Sequence, residues 1–329
     1  MTRRGGVISV QSSAMQEVRA NRQPLVAPGA IDHHVADLTA TFSADVTLGA
    51  AQEKLRAEGQ WLPIDGDPNL SLGRLVGFNS TGPLRLGYGA WRDLLLGAQF
   101  TNGMGELITA GGRAVKNVAG YDLTKFMVGQ GGVFGQLVAV TTRTYKRPTG
   151  AVIADFQPEM ALVNRVMATD LRPQWMVLKP DALLLGYVGD DRAVDFYQQK
   201  LAEIAPRRIE RRTIEQDIEH RQQLWRAEGE TTYRVAVPPG KVRDLVERAK
   251  LKNWVADAAF GIVLGSTDAG SITALRDAAR QLSGSVTIFG GDEIEYEPAN
   301  DGQRHLLERL KKSFDPENRL KPLPWQKKA

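Results

Sequence analysis

The chain of 329 residues contains no cysteine. Disulfide bonds and metal clusters held by Cys thiolates are therefore excluded within it. The sequence also lacks any run of about 20 consecutive apolar residues, the length that a membrane span requires. Its first residues, Met1 to Val10, lack the apolar core of a signal peptide. We therefore expect a protein without a membrane span, located in the cytoplasm.

The chain also has little excess charge of either sign and only four histidines. The net charge is +4, and acidic and basic residues alternate through 206–226. Only Lys311-Lys312 and Lys327-Lys328 are locally basic, so we expect a solvated surface and no nucleic-acid partner. The carboxylates of Asp292, Glu293 and Glu295 have no histidine near them in the sequence, which predicts an exposed loop and no metal site.

Glycine, in contrast, is concentrated between Ile108 and Leu137. Seven glycines lie there: Gly111, Gly112, Gly120, Gly129, Gly131, Gly132 and Gly135. Between them, Asp122 is a good N-cap for a short helix that buries Leu123, Phe126 and Met127, and Gly129 ends that helix. The β-branched run that starts at Leu137 predicts a largely buried strand. A helix N-terminus beside glycine amides offers donors to an anion or a carbonyl, which predicts a cradle for a pyrophosphate or the polar edge of a flavin.

Other interpretations of the glycines remain open. The pairs Gly111-Gly112 and Gly131-Gly132 are also typical of hairpin turns between strands. A Walker loop is excluded because no Gly-Lys-Ser/Thr follows, and the segment does not have the strand–GxGxxG–helix form of a nucleotide fingerprint.

Three other segments, 59–65, 71–83 and 88–97, extend the pattern. In order and spacing they resemble the second half of a vanillyl-alcohol-oxidase-like, PCMH-type FAD-binding domain. With Lys116 to Leu123 the resemblance narrows to the smaller FAD-type subunit of bacterial glycolate oxidase. The resemblance runs from about 37 to 148 and more loosely to the C-terminal segment 313–322.

The resemblance implies an α+β fold. Residues 1–148 are expected to form a PCMH-type FAD-binding domain of two mixed α/β sub-domains, and 149–329 an α+β cap domain with an antiparallel sheet and a C-terminal return segment. The bound cofactor is expected to be non-covalent FAD. The implied cofactor-binding residues are Gly73, Asn79 and Gly82 on one side of the flavin, Asn117, Gly120, Tyr121 and Asp122 on the other, and Gly132, Gly135 and the backbone of Leu137 towards the adenosine end. Gly129 is a further expected cofactor-binding residue.

The sequence departs from the family near its start. Members usually carry a Gly-Gly-Gly-Thr-type loop around the pyrophosphate, whereas here Pro24 to Val35 leads almost directly into the next strand, and only Gly29 remains. Each phosphate-facing amide lost removes a charge-assisted hydrogen bond of about 1.5–3 kcal/mol. His33 and His34 occupy this place; some members of the superfamily link a histidine here to the flavin, while a solvated pair is the ordinary alternative.

The second half shows a repeated pattern of strands and helices. Both repeats are of the βαββα type, which predicts one antiparallel sheet with helices on one face. We expect strands near 152–156, 175–178, 182–188, 233–237, 254–258, 261–264 and 286–289, with a helix opened by Pro158 in its first turn. The connector 207–226 is expected to be a helix or a helix plus loop, in which Trp225 packs at a seam or reaches the flavin-side cleft.

Two functions fit these observations. The first is an FAD-binding subunit of a glycolate or D-lactate (2-hydroxy acid) oxidase or dehydrogenase complex, with a larger FAD-binding subunit and an iron–sulfur subunit as partners. The second is a non-catalytic assembly subunit of that complex that has lost FAD. A free-standing oxidase is a third interpretation. Neither His220 nor His305 stands in a motif, so no catalytic residue is assigned.

Overall fold

A computed structural model describes residues 19–20, 23–113, 123–226, 231–290 and 293–326. In its N-terminal half, six strands form one antiparallel sheet: β1 (Arg19–Ala20), β2 (Ile31–His34), β3 (Thr39–Ser43), β5 (Leu95–Thr101), β6 (Leu107–Gly111) and β7 (Gln136–Arg143). Their order is β1-β6-β5-β7-β3-β2. A separate two-stranded sheet pairs β4 (Gln60–Trp61) with β8 (Tyr145–Lys146).

Five short helices accompany this sheet: α1 (Leu48–Arg56), α2 (Leu72–Gly77), α3 (Arg85–Tyr88), α4 (Trp91–Leu94) and α5 (Leu123–Phe126). The side chains of Thr47 and Ser71 cap α1 and α2 by accepting hydrogen bonds from Ala50 and Arg74 amides. Alternate residues of the central strands, such as Phe42 and Phe100, pack with these helices into one buried core.

The second half contains a nine-stranded antiparallel sheet. Its strands are β9 (Gly150–Phe156), β10 (Trp175–Leu178), β11 (Leu183–Gly189), β12 (Arg208–Thr213), β13 (Thr231–Ala236), β14 (Trp254–Asp257), β15 (Ile262–Thr267), β16 (Ser285–Gly290) and β17 (Glu293–Tyr296). The helices are α6 (Met160–Met167), α7 (Asp191–Ala202), α8 (Ile214–Leu224), α9 (Val242–Arg248), α10 (Ile272–Gln281) and α11 (Asp301–Phe314).

The strand order shows an internal repeat. The sheet reads β12-β9-β11-β10-β14-β15-β13-β16-β17, so each unit places its strands in the same relative order and the two units run outward from the β10–β14 junction. Leu178 opposite Ala256 joins them. Because α6, α7, α9 and α10 contribute to one core on one face, the predicted repeat and antiparallel sheet are confirmed, as is the α+β class. The division into domains at residue 148 stays a prediction.

Two details of the sequence-based expectation are wrong. The connector 207–226 begins with edge strand β12 before helix α8, and α8 packs on the sheet face opposite the other helices, because Ile214 and Ile218 join a cluster with Trp61 and Trp175. Helix α8 therefore lies in the seam between the two halves. Pro158 precedes the N-cap residue Glu159 and does not occupy the first turn of α6.

Candidate functional site

The structure brings two of the predicted cofactor-lining segments into direct contact. The amide of Gly129 donates to Val76 O at 2.9 Å, and that of Gly131 donates to Gly77 O at 2.8 Å. Helix α2 carries Gly73 and leads to Asn79 and Gly82. Its C-terminal end therefore lies against the loop 129–135 before β7, which we call the glycine loop. The predicted residues Asn117, Gly120, Tyr121 and Asp122 lie outside the described residues.

Three of the predicted glycines are required by packing within the protein. A Cβ on Gly73 would lie 2.9 Å from Ala44 Cβ, and one on Gly135 would lie 2.7 Å from Phe100 Cδ2. At Gly82 a Cβ would collide with the side chain of Asp65. These close approaches explain glycine without a ligand, so a cofactor role for the three stays a prediction.

The loop Gly129–Gly132 has a different requirement. Gly129 and Gly132 have φ values of 79° and 88°, which L side chains rarely adopt. Gly131 lies beneath Ile294 of β17, whose Cδ1 would be 2.7 Å from a Cβ there. Strand β7, in which Leu137 is half-buried, follows the loop as predicted.

Asn79 is the residue whose geometry best fits a ligand. It has a left-handed backbone with φ 49°, and its Oδ1 is buried with no hydrogen-bond partner among the described residues. A Cβ on neighbouring Gly77 would meet no described atom within 4 Å. A buried acceptor left without a donor costs about 1–3 kcal/mol, so a bound group with an N–H or O–H is favoured here. The polar edge of a flavin carries such a group, and the residues on this side fit it.

The pyrophosphate side fits less well. The amide of Gly29, the one glycine that remains there, donates to Asp45 Oδ1 at 3.0 Å. The hydrogen bond from Ser43, and to a smaller extent that from Gly29, lowers the pKa of Asp45. The Gly29 amide therefore already donates to a carboxylate within the protein. His33 and His34 are half-buried rather than solvated: their Nε2 atoms lie 3.0 Å from Gln60 Oε1 and 2.9 Å from Asp32 Oδ2.

A cavity of about 740 Å³ borders the glycine loop. Gly131 and Val133 line one side, strands β16 and β17 another, and the C-terminal segment 319–326 a third. Buried Lys311 fixes this segment, because its Nζ donates to Val133 O at 3.0 Å, to Lys321 O at 2.7 Å and to the Asp315 carboxylate at 2.6 Å. The volume falls within the range of small-molecule sites.

Charged residues that the sequence did not single out lie on the sheet face towards the N-terminal half. Arg234 of β13 donates to main-chain carbonyls at the end of α2, and no carboxylate pairs with it among the described residues. Burial and then the neighbouring Arg85 lower its pKa to about 10. Arg85 Nε lies 3.9 Å from Asp257 Oδ2, and burial raises the pKa of Asp257 to about 7.

A second buried network crosses the seam. Arg221 of α8 donates from Nε to Asp65 Oδ1 at 2.8 Å and pairs with Asp217 one turn earlier, and Trp175 Nε1 donates to Asp217 Oδ1 at 3.1 Å. Asp65 Oδ2 accepts from the amide of Leu84 at 3.1 Å. The i, i+4 spacing of Asp217 and Arg221 was visible in the sequence, but their burial was not.

The histidines of the second half do not form a catalytic pair. His220 is half-buried, and burial followed by the charge of Arg212 lowers its pKa to about 4. His305 is exposed on α11, where its Nδ1 lies 2.8 Å from Asp301 O. Among the described residues no cluster of metal-ligand side chains is present. The carboxylate of Glu295, on β17 rather than in a loop, pairs with Arg276.

Comparison with known proteins reveals sequence relatives over part of the chain. A mitochondrial D-lactate dehydrogenase [cytochrome] of Arabidopsis thaliana is 30% identical over 121 residues, which cover 37% of this chain and 21% of that protein. Glycolate oxidase subunit GlcE of Escherichia coli is 31% identical over 127 residues, 38% of this chain and 36% of that subunit. An uncharacterized FAD-linked oxidoreductase of Mycobacterium tuberculosis is 27% identical over 271 residues, 78% of this chain and 57% of that protein.

The chain is therefore similar in sequence to FAD-linked oxidoreductases. A solved alkyldihydroxyacetonephosphate synthase shares the fold, with a TM-score of 0.60 at 14% identity over 89% of this chain and 64% of the other. This match confirms the predicted PCMH-type, α+β fold. The matched part of the chain spans between about a fifth and three fifths of the length of the three sequence relatives. No protein-family model matches the sequence.

Proposed function

We propose that this chain is the FAD-binding subunit of an oxidase or dehydrogenase complex that acts on a 2-hydroxy acid, glycolate or D-lactate. The relatives named as glycolate oxidase subunit and D-lactate dehydrogenase support the substrate class. The observation that carries the proposal is the junction of α2 with the glycine loop, where the Oδ1 of Asn79 is buried and has no partner in the part of the chain that the structure describes.

In the proposed site, FAD is held without a covalent link. Asn79 accepts a hydrogen bond from the polar edge of the flavin, while Gly73, Gly82, Gly129, Gly132, Gly135 and the backbone of Leu137 shape the cleft. The proposal also includes Asn117, Gly120, Tyr121 and Asp122. The chemistry that bound FAD would supply is the oxidation of the hydroxy acid by two electrons. The catalytic base is not assigned.

A second candidate is a non-catalytic assembly subunit that has lost FAD. The environment of Gly29 favours it, because its amide already serves Asp45 and a second negative group near that carboxylate would be repelled. The side chains of Ile294 and Lys321 also lie over Gly131 and Gly132, where a cofactor would need space.

The proposed partners are a larger FAD-binding subunit and an iron–sulfur subunit. The name of the relative GlcE as a glycolate oxidase subunit supports an assembly of several chains. Because this chain has no cysteine, an iron–sulfur cluster held by thiolates must reside in another subunit.

We further propose a cytoplasmic location. Among the described residues no helix combines the length and the apolar character of a membrane span.

FAD uptake by the purified chain tests the proposal. We expect protein incubated with FAD and desalted to show the absorption bands of bound flavin, and denaturation to release the flavin intact. Replacing Asn79 with Ala removes one hydrogen bond, so the dissociation constant for FAD should rise about three- to tenfold. The matched control is Asn69→Ala, in an exposed turn, which should leave FAD binding unchanged. A folded, colourless protein that takes up no FAD would instead establish the assembly-subunit candidate.

A further inference from the structure

Four consecutive main-chain carbonyls, those of Phe78, Asn79, Ser80 and Thr81, accept hydrogen bonds from side chains. Arg234 Nη1 donates to Phe78 O at 3.3 Å and to Asn79 O at 2.7 Å. The Nε1 atoms of two tryptophans serve the other carbonyls: Trp91 donates to Ser80 O at 2.8 Å, and Trp225 donates to Thr81 O at 3.1 Å. We call residues 78–81 the clamped loop.

We call the three donors Arg234, Trp91 and Trp225 the clamp, and two of them come from the second half of the chain. Trp91 belongs to α4 beside the loop, whereas Arg234 lies on β13 and Trp225 follows α8. Arg234 lies 155 residues and Trp225 144 residues along the chain from the carbonyls of Asn79 and Thr81. The cap sheet and the seam helix therefore reach across to one short segment of the N-terminal half.

Arg234 lies beside the end of helix α2, and this position stabilises the charge of its guanidinium. The last carbonyls of a helix carry partial negative charge and lack intrahelical donors, so a cation there is stabilising. The loop amides turn the other way: Asn79 N donates to Val76 O and Ser80 N to Leu75 O. Aromatic contacts hold the guanidinium in place, since it lies 5.1 Å from the Phe289 ring, which stacks on Phe78.

The left-handed backbone of Asn79 belongs to the Schellman motif that ends α2, and the side-chain contacts to the following carbonyls hold this turn in place. A left-handed conformation at a residue other than glycine is uncommon and persists when surrounding contacts determine it. Here the carbonyl of Asn79 is held by Arg234 and those of the next two residues by the indoles, so the peptide groups cannot rotate freely. The main chain that carries the Asn79 side chain is thereby held, and among the described residues its buried Oδ1 has no partner.

We infer that Arg234 and Trp225 are positioning residues that hold the clamped loop so that Asn79 presents its acceptor to the cofactor. The inference rests on the proposed function for the identity of the cofactor, whereas the clamp itself does not depend on it. Cofactor affinity is thus set partly by the second half of the chain. Arg234 acts through the loop carbonyls rather than as the clamp for a substrate carboxylate.

The test replaces Arg234 with Met and Trp225 with Phe. The second change keeps an aromatic ring but removes the indole N–H. Hydrogen exchange at the Asn79 and Ser80 amides, measured without FAD, reports the loop directly. We expect exchange there to increase at least tenfold in Arg234→Met and less in Trp225→Phe. The dissociation constant for FAD should rise about tenfold in Arg234→Met, and Arg234→Lys should recover part of both effects.

Arg243→Met is the matched control. Arg243 also donates to a main-chain carbonyl, that of Pro158, and lies over an aromatic ring, that of Trp254, but within the second half. It should change neither exchange at the clamped loop nor FAD affinity. Unchanged exchange in Arg234→Met would overturn the inference, as would a raised KM for the hydroxy acid, measured on the complex with the partner subunits, at unchanged FAD affinity. If the wild type takes up no FAD, the proposed function fails while the exchange result still decides the clamp.

Discussion

Buried charges in this protein differ in how well they are paired. Arg221 is fully buried, yet it contacts the carboxylates of Asp65 and Asp217, so removing one partner would leave a buried charge uncompensated at a cost of about 3–5 kcal/mol. Asp257 is equally buried, but among the described residues its Oδ2 has no hydrogen bond and Arg85 approaches only to 3.9 Å. Asp257 therefore lacks the close cationic partner that favours the ionised form of a buried carboxylate.

Asp257 predicts a loss of stability as pH rises. Burial raises its pKa to about 7 from the usual 3.8, so between these values the unfolded chain releases a proton that the folded chain retains. The free energy of unfolding then falls across this window and levels off above about pH 7. Asp257→Asn cannot release the proton, so relative to wild type it should gain a few kcal/mol between pH 5 and pH 8, at about 1.4 kcal/mol per pKa unit.

Urea unfolding at a series of pH values measures this difference. Asp181→Asn, at a side chain that is 77% exposed, serves as the control and should follow the wild type throughout. Parallel curves for wild type and Asp257→Asn would show that Asp257 is ionised in the folded protein at all these pH values.

The glycine loop and strand β7 contribute both to the packing of the core and to the proposed cofactor site. Gly135, at the end of the loop, lies against the ring of Phe100 in the core of the six-stranded sheet, whereas Gly112, just after β6, faces open space among the described atoms. The glycine-rich composition alone did not distinguish the two.

Gly135→Ala should destabilise the protein even without FAD. The added methyl group would lie 2.7 Å from Phe100 Cδ2 and 3.1 Å from Thr101 O, and overpacking of this kind costs about 1–3 kcal/mol. Gly112→Ala is the matched variant and should change stability by less than about 0.5 kcal/mol. Denaturant unfolding of the FAD-free protein measures both. Equal stabilities would mean that the loop moves to accommodate the methyl group and that Gly135 is an ordinary turn residue.

The arrangement of the two halves changes which surfaces remain for partners. We expect a partner to dock on charged surfaces, such as the connector 206–226 and the basic residues near the C-terminus, because such surfaces register a partner. Helix α8 of that connector packs one face into the seam while its other face stays exposed, and Lys311 is buried with Asp315. Strand β12, at the sheet edge with Arg208 and Arg211 exposed, also stays available. Lys327-Lys328 lies outside the described residues.

Activity should require other subunits if the proposed function is correct. We expect co-expression with a larger FAD-binding subunit and an iron–sulfur subunit to give a co-purifying complex that oxidises glycolate or D-lactate, because this chain cannot hold a thiolate-bound cluster. Arg208→Glu should weaken assembly, since charge reversal at a partner surface mainly changes association and its salt dependence. Dye-reduction assays and gel filtration measure the two effects. Rapid turnover of either acid by the isolated chain would restore the free-standing oxidase.

The sequence by itself determined the local elements and the type of fold. The β-branched run after Gly135 predicted strand β7, and the repeated βαββα order predicted the antiparallel cap, because side-chain periodicity decides which face of each element is buried. The rest of the N-terminal half was predicted by resemblance to a family. Tertiary structure alone decided that α8 lies in the seam, that Asp65 abuts Gly82, and that Arg234 reaches the carbonyl of Asn79. These contacts join residues 17 to 156 positions apart, and no local pattern encodes which distant partner a buried polar group will find.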